Sequence, residues 1–185
     1  VSLFFAVSSH AATIWATSVV DYDLGASSTD PSRIDPNNAL GSPNGSFLSL
    51  GHDGQVGTGG WAIFDFDSLF DTSALVIETT NGNPNNWKEY ADVYVSSDSS
   101  PNAFTLVASI NNFSGAIDID LSAFAGNPFR YLKIVDTTFD NSGHAGDGFD
   151  VDAVGVAPVP EPGTMILLGF GLMGLVGLGR KKFQK

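Results

Sequence analysis

Asp150 and Asp152 stand two apart in the segment Gly148-Phe149-Asp150-Val151-Asp152-Ala153-Val154. In an extended strand such residues share a face, so the two carboxylates point one way and Phe149, Val151 and Ala153 the other. Val154 falls on the aspartate face, so a strand inside a packed domain would have two partly apolar faces. Carboxylates held there need cations or several hydrogen-bond donors. Residues 12–160 contain only four basic side chains, Arg33, Lys88, Arg130 and Lys133. Ca²⁺ is therefore the readiest partner, bound through carboxylate and backbone oxygens. Asp136, Glu78 and Glu89 complete the candidate ligand set, with Asp21 or Asp23 near the first strand. The spacing Asp147-x-x-Asp150-x-Asp152 is not that of an EF-hand loop. A solvated acidic edge accounts for the same residues without a metal.

A second chemistry lies in the aromatic residues. Trp87 follows the turn Gly82-Asn83-Pro84-Asn85-Asn86 and is the candidate for exposure at a loop tip. With Tyr90 it is of the type that stacks on sugar rings, where a flat π-face meets an apolar sugar face. Core packing is the alternative use of such residues, and for Trp61, at the head of an apolar strand, it is the favoured one. The stripe Asp65-Phe66-Asp67 with Asp71 reads as the wet face of a half-buried strand. No catalytic residues are assigned. His52 and His144 sit in glycine-rich segments, no Gly-x-Ser-x-Gly elbow occurs, and nothing in the spacing fixes the separation of Glu78 and Glu89 as a glycosidase pair. Dinucleotide, phosphate-loop and His-Glu-x-x-His motifs are absent too.

The elements that must position these residues are short strands. Val, Ile, Phe and Tyr with period-two alternation predict strands at Thr13–Tyr22, Gly60–Phe66, Ala74–Thr80, Ala91–Ser96, Phe104–Ile110, Ala116–Leu121, Tyr131–Asp136 and Phe149–Val156. About eight strands at this spacing, with no helical period before the tail, predict an all-β, two-sheet jelly-roll-type β-sandwich over residues 12–157. The stretch 29–60, broken by Pro31, Pro36 and Pro43, reads mostly as loop. The 185 residues include 8 Lys+Arg against 20 Asp+Glu, a formal charge of −12, and no cysteine. That balance excludes an electrostatic footprint for nucleic acid. The missing cysteines exclude disulfides, thiol catalysis and cysteine-ligated zinc.

The ends are built differently. Residues 158–185 contain Pro160-Glu161-Pro162, an uncharged run from Gly163 to Gly179, and the cluster Arg180-Lys181-Lys182. Seventeen residues at ~1.5 Å each span roughly 25 Å, enough for a short single C-terminal transmembrane helix, 163–179. The cations after it, 180–185, form a membrane stop and favour a cytoplasmic C-terminus. Residues 1–11 read as the remnant of a secretory signal peptide. Divided at Pro160, the charge is −15 over residues 12–160, while half of the basic residues lie in the tail.

The order Pro-Glu-Pro, apolar span, basic stop resembles the PEP-CTERM sorting signal of exported bacterial proteins. The resemblance implies export in a Gram-negative, exopolysaccharide-making host and transient anchoring in the inner membrane. An exosortase-type processing enzyme would then remove the tail near Pro160–Pro162 and leave the protein at the cell surface or in the extracellular matrix. More loosely, the middle of the chain resembles discoidin-like and galactose-binding-like cell-surface modules. The matching pieces are Ala39-Leu40-Gly41-Ser42-Pro43-Asn44, Ser49-Leu50-Gly51, Gly60–Phe66, Lys88–Ser96 and Gly148–Val154. The expected role is structural or adhesive. A calcium-dependent carbohydrate-binding module, with extracellular polysaccharide as partner, is the alternative, and a secreted hydrolase the third reading.

Overall fold

The computed structural model describes residues 13–25, 30–52, 59–80, 87–100, 103–138 and 146–159. Among them the strands are β1 (Ile14–Trp15), β2 (Ser18–Asp23), β3 (Leu48–His52), β4 (Trp61–Glu78), β5 (Tyr90–Ser96), β6 (Thr105–Asn111), β7 (Ala116–Asp120), β8 (Phe129–Asp136) and β9 (Gly146–Pro158). All pairings are antiparallel. One layer runs β2, the first half of β4, β8, β5, β6. The other runs β7, the second half of β4, β9, with β1 and β3 sharing the far side of β9. The predicted signal remnant and the transmembrane helix lie outside the described residues. Among the described residues no helix is long and apolar enough to cross a membrane.

The predicted strands Gly60–Phe66 and Ala74–Thr80 are one strand, β4, which turns a corner between the layers. Asp65 and Asp67 make the corner. Asp67 takes a left-handed conformation, φ 52°, which costs a non-glycine residue free energy unless its surroundings hold it. They do: its N–H donates to Asp65 Oδ1 at 3.0 Å, and its carboxylate accepts from Thr17 Oγ1 at 3.0 Å and Arg130 Nη2 at 3.3 Å. The Asp65 side chain is buried and receives Arg130 through Nε at 3.0 Å and Nη2 at 2.8 Å. Burial alone would raise its pKa, but the guanidinium and the Asp67 N–H outweigh that and hold the carboxyl below its ordinary value. Of the stripe read as a wet face, Asp67 is exposed and Asp71 partly so, whereas Asp65 is buried and ion-paired with Arg130 at the sandwich corner.

The predicted strand Thr13–Tyr22 also changes layer. Ala16 N–H donates to Val154 O of one layer at 2.9 Å, and Thr17 N–H donates to Asp65 O of the other at 2.9 Å, which divides the segment into β1 and β2. The segment read as loop contains β3, all five of whose residues are buried, and a 3₁₀ turn at Pro36–Ala39 capped by the Asp35 carboxylate. Trp61 is half-buried under the Lys133 ammonium, 4.3 Å from its ring centre, instead of filling the core.

The interior is filled by Phe64, Phe66, Leu132, Ile134, Val93 and Val95 of one layer against Phe70, Val76, Phe149, Val151, Val154 and Val156 of the other. The inward parity of β9 changes between Val151 and Val154, beside a register shift against Ile77 and Glu78 on β4. An inserted residue of this kind is a β-bulge. It leaves Asp152 outside the simple alternation that placed it on one face with Asp150.

Candidate functional site

The five candidate calcium ligands are all buried. Among the described residues no three His, Cys, Asp or Glu side chains converge into a metal-binding group. Asp152 accepts from the backbone N–H of Asn44 at 3.0 Å, of Gly45 at 3.1 Å, and from Thr79 Oγ1 at 3.3 Å. It is the brace of the 43–46 turn. Asp136, at the end of β8, accepts the Thr138 N–H at 2.6 Å, and His52 lies near enough to act on its charge. Burial is the largest influence on this carboxyl and raises its pKa, against Thr138 and His52. A Cβ at Gly148 would collide with Asp136 Oδ2 and with the Leu50 carbonyl oxygen, so glycine is needed where β9 passes this carboxyl. Asp150 lies opposite Ser49 on β3.

Glu78 and Glu89 are brought together from the end of β4 and the start of β5. Their carboxyls hydrogen-bond each other, and Thr80 Oγ1 lies 2.8 Å from both Glu78 oxygens. Burial pushes the Glu78 carboxyl up to about 7, opposed by its bonds to Thr80 and Glu89.

Directly beside it stands an aromatic platform. Trp87 is 67% exposed and Tyr90 39%. Phe113, in the turn between β6 and β7, meets Tyr90 edge-on with ring centres 6.3 Å apart and is itself exposed. Exposed aromatics hold a pose only if their backbone is fixed, and here Asn112 fixes it. Its Nδ2 donates to the Trp87 carbonyl at 2.7 Å, its Oδ1 accepts the Glu89 N–H at 3.2 Å, and its own N–H donates to the Glu89 carbonyl at 3.1 Å. Tyr90 is tied from the other side, its N–H donating to Thr138 Oγ1 at 3.0 Å. The exposure expected for Trp87 is therefore accompanied by a rigid mount. The spacing showed no trace of it, because the clamp spans 25 residues of sequence.

A polar hollow of about 510 Å³ reaches Thr80, which bonds Glu78. Ser32, Arg33, Ser46, Phe47, Thr79 and Thr80 line it, with the Arg33 guanidinium 5.3 Å above the Phe47 ring centre. Its walls are pinned by Asp152, by Asn38 Nδ2 donating to Ser32 O at 2.7 Å and Phe47 O at 3.1 Å, and by Ser46 N–H donating to Asn44 Oδ1 at 2.8 Å. Sequence reasoning missed this hollow, since its residues come from three separate segments of unremarkable composition.

The opposite end carries the tail. Pro158 pairs with Phe70, and the Val159 N–H donates to the Leu69 carbonyl at 2.9 Å. On β8 the platform end is marked by Asp136, opposite Ala91, and the tail end by Phe129, opposite Phe70. Seven steps of strand put about 23 Å between them.

An all-β sandwich with a braced loop end and a tail leaving the far end is the class these observations define. Residues 158–181 match the PEP-CTERM protein-sorting motif, which implies sorting by an exosortase. In fold, the chain is similar to a Streptococcus pneumoniae fucose binding module, at 18% identity and a TM-score of 0.51, over 80% of this chain and 96% of that one. It is also similar to a chain in the structure of reduced XRCC1 bound to the DNA pol beta catalytic domain, at 12% identity and a TM-score of 0.54, over 80% and 100%. Truncated AlyQ, with CBM32 and alginate lyase domains, matches over 84% of this chain at 18% identity and a TM-score of 0.49. The chain spans 36% of AlyQ's length and 23% of a Ruminococcus gnavus fucosidase that it also matches. No curated protein matches the sequence.

Proposed function

We propose that this is an exported, exosortase-sorted surface protein whose loop end binds carbohydrate, giving it an adhesive role in an extracellular polysaccharide. The observation that carries the reading is Trp87, two-thirds exposed on a clamped backbone beside Tyr90 and Phe113. A flat, rigid aromatic face costs little conformational entropy when it captures the apolar face of a sugar ring. The hollow at Thr80 offers hydroxyls and Arg33 as hydrogen-bonding partners for sugar hydroxyl groups. The position of the tail supports the same reading: a chain anchored at Val159 presents the platform away from the anchor. Calcium has no part in this proposal, because Asp152, the most telling of its candidate ligands, already has its donors in the protein.

Retention on a glycan array and on immobilised bacterial exopolysaccharide tests it. Wild type should be retained, and Trp87→Ala should lose about tenfold in affinity, equivalent to ~1.4 kcal/mol, with an unchanged melting temperature. Wild type that binds no glycan would leave a matrix component without a sugar site, and Trp87→Ala that binds as well as wild type would refute the platform as the place where sugar is held.

A further inference from the structure

The sorting motif and the sandwich overlap. The motif match begins at Pro158, and Pro158 and Val159 are bound into the fold through Phe70 and Leu69. Pro160, the first residue of Pro-Glu-Pro, comes next in the chain, so no spacer separates the folded domain from the segment to be cut. An enzyme that cuts a peptide takes several residues around the bond in extended form and pairs with their backbone. The strand end cannot offer its backbone to β4 and to such a cleft at once.

We propose that the last residues of β9 must leave the sandwich before the tail can be cut, so that the folded strand end acts as a brake on sorting. This rests on the sorting reading above. The architecture of β9 suits such a release. Val156 is buried in the core and fixes the strand, whereas Ala157, Pro158 and Val159 are only half-buried. Pro158 has no N–H to give, which leaves the Val159 N–H to Leu69 bond as the outermost tie. Three residues can therefore peel away without opening the interior. Their release breaks the pairing of Pro158 with Phe70 and the Val159 N–H to Leu69 bond on β4.

The absence of cysteine from the chain makes a clean test possible. The double variant Leu69→Cys, Val159→Cys closes a disulfide across the tie. The full-length chain is presented to membranes containing the sorting enzyme, and the intact mass of the product is followed. Wild type should be cut at a rate indifferent to mild reductant. The oxidised double variant should be cut at least about tenfold more slowly and should regain the wild-type rate when reduced, which also shows that it was folded. Six Gly/Ser residues inserted between Val159 and Pro160 of the oxidised variant should restore cutting without reductant. An oxidised variant cut at the wild-type rate overturns the brake and leaves sorting intact. A spacer that fails to rescue overturns it too. Wild type that keeps residues 163–185 overturns the sorting reading, and the brake with it.

Discussion

Glu78→Gln should make the sandwich more stable above neutral pH and leave it unchanged in acid. The folded carboxyl holds its proton up to about pH 7, against an ordinary value of 4.5, because burial disfavours the charged form. Below pH 4.5 the group is protonated in both folded and unfolded chains and contributes no pH dependence. Between 4.5 and 7 the unfolded chain releases a proton that the folded chain retains, so stability falls as pH rises, by ~1.4 kcal/mol for each pH unit. Above 7 the loss is complete, at most about 3 kcal/mol, and nearer half of that where water screens the pair. Glutamine cannot ionise, accepts from Thr80 as glutamate does, and can donate an N–H to Glu89. Urea denaturation at pH 5 and pH 8.5 reads the difference. At pH 5 the variant should exceed wild type by less than about 1 kcal/mol, while at pH 8.5 it should gain roughly 1.5–3 kcal/mol with an unchanged denaturant slope. Asp136, raised in the same direction, steepens the wild-type decline and is common to both chains. Asp65 is lowered, so its contribution is lost only as pH falls through its folded value, below 3.8 and outside the window. A variant that follows wild type at pH 8.5, or loses stability there, would mean that the Glu78 carboxyl is not held protonated by the fold.

Two further substitutions probe the braces of the site. Asn112→Ala leaves the Glu89 N–H and the Trp87 carbonyl without their side-chain partner and should cost about 2 kcal/mol in thermal or urea unfolding. It should also weaken glycan retention although Asn112 offers the sugar nothing, and retention equal to wild type would show that the platform does not depend on the clamp. Asp152→Ala should cost about 2–3 kcal/mol through the lost bonds to Asn44, Gly45 and Thr79, by the same amount in Ca²⁺ and in EDTA. A cost that appears in calcium alone would make Asp152 a cation ligand.

What could be read from the sequence divides along physical lines. Period-two alternation located β5, β6, β7 and β8 to within two residues at each end, since a strand with one wet face writes its orientation into its side chains. Corners left no such record. Asp65-Phe66-Asp67 puts two carboxylates on one side of a strand as a wet face would, and only Arg130, 65 residues away, shows that the first aspartate is buried and that β4 runs through. β3 was hidden for a related reason: Leu-Ser-Leu-Gly-His is buried throughout, so its serine and glycine reflect space and backbone contact, not water. Burial of Asp150 and Asp152 on a strand with two apolar faces was legible. Their partners were not, because a bulge redirected Asp152 to backbone donors more than a hundred residues earlier in the chain.

The two functional ends differ in what their chemistry demands of sequence. A sorting signal is recognised as a linear segment, so its parts must be contiguous, and residues 158–181 could be read as they stand. A sugar platform is recognised as a surface, so its parts need only be adjacent after folding. Trp87, Asn112, Phe113, Thr138, Arg33 and Thr80 come from five separate stretches of chain and meet because antiparallel strands return repeatedly to the same edge of the sandwich. The overlap at Pro158 and Val159 is where the two kinds of information compete for the same residues. There the fold requires β9 to stay paired, and the signal requires it to be extended and available. A chain under both demands can satisfy them only in succession, folding first and giving up the end of its last strand afterwards.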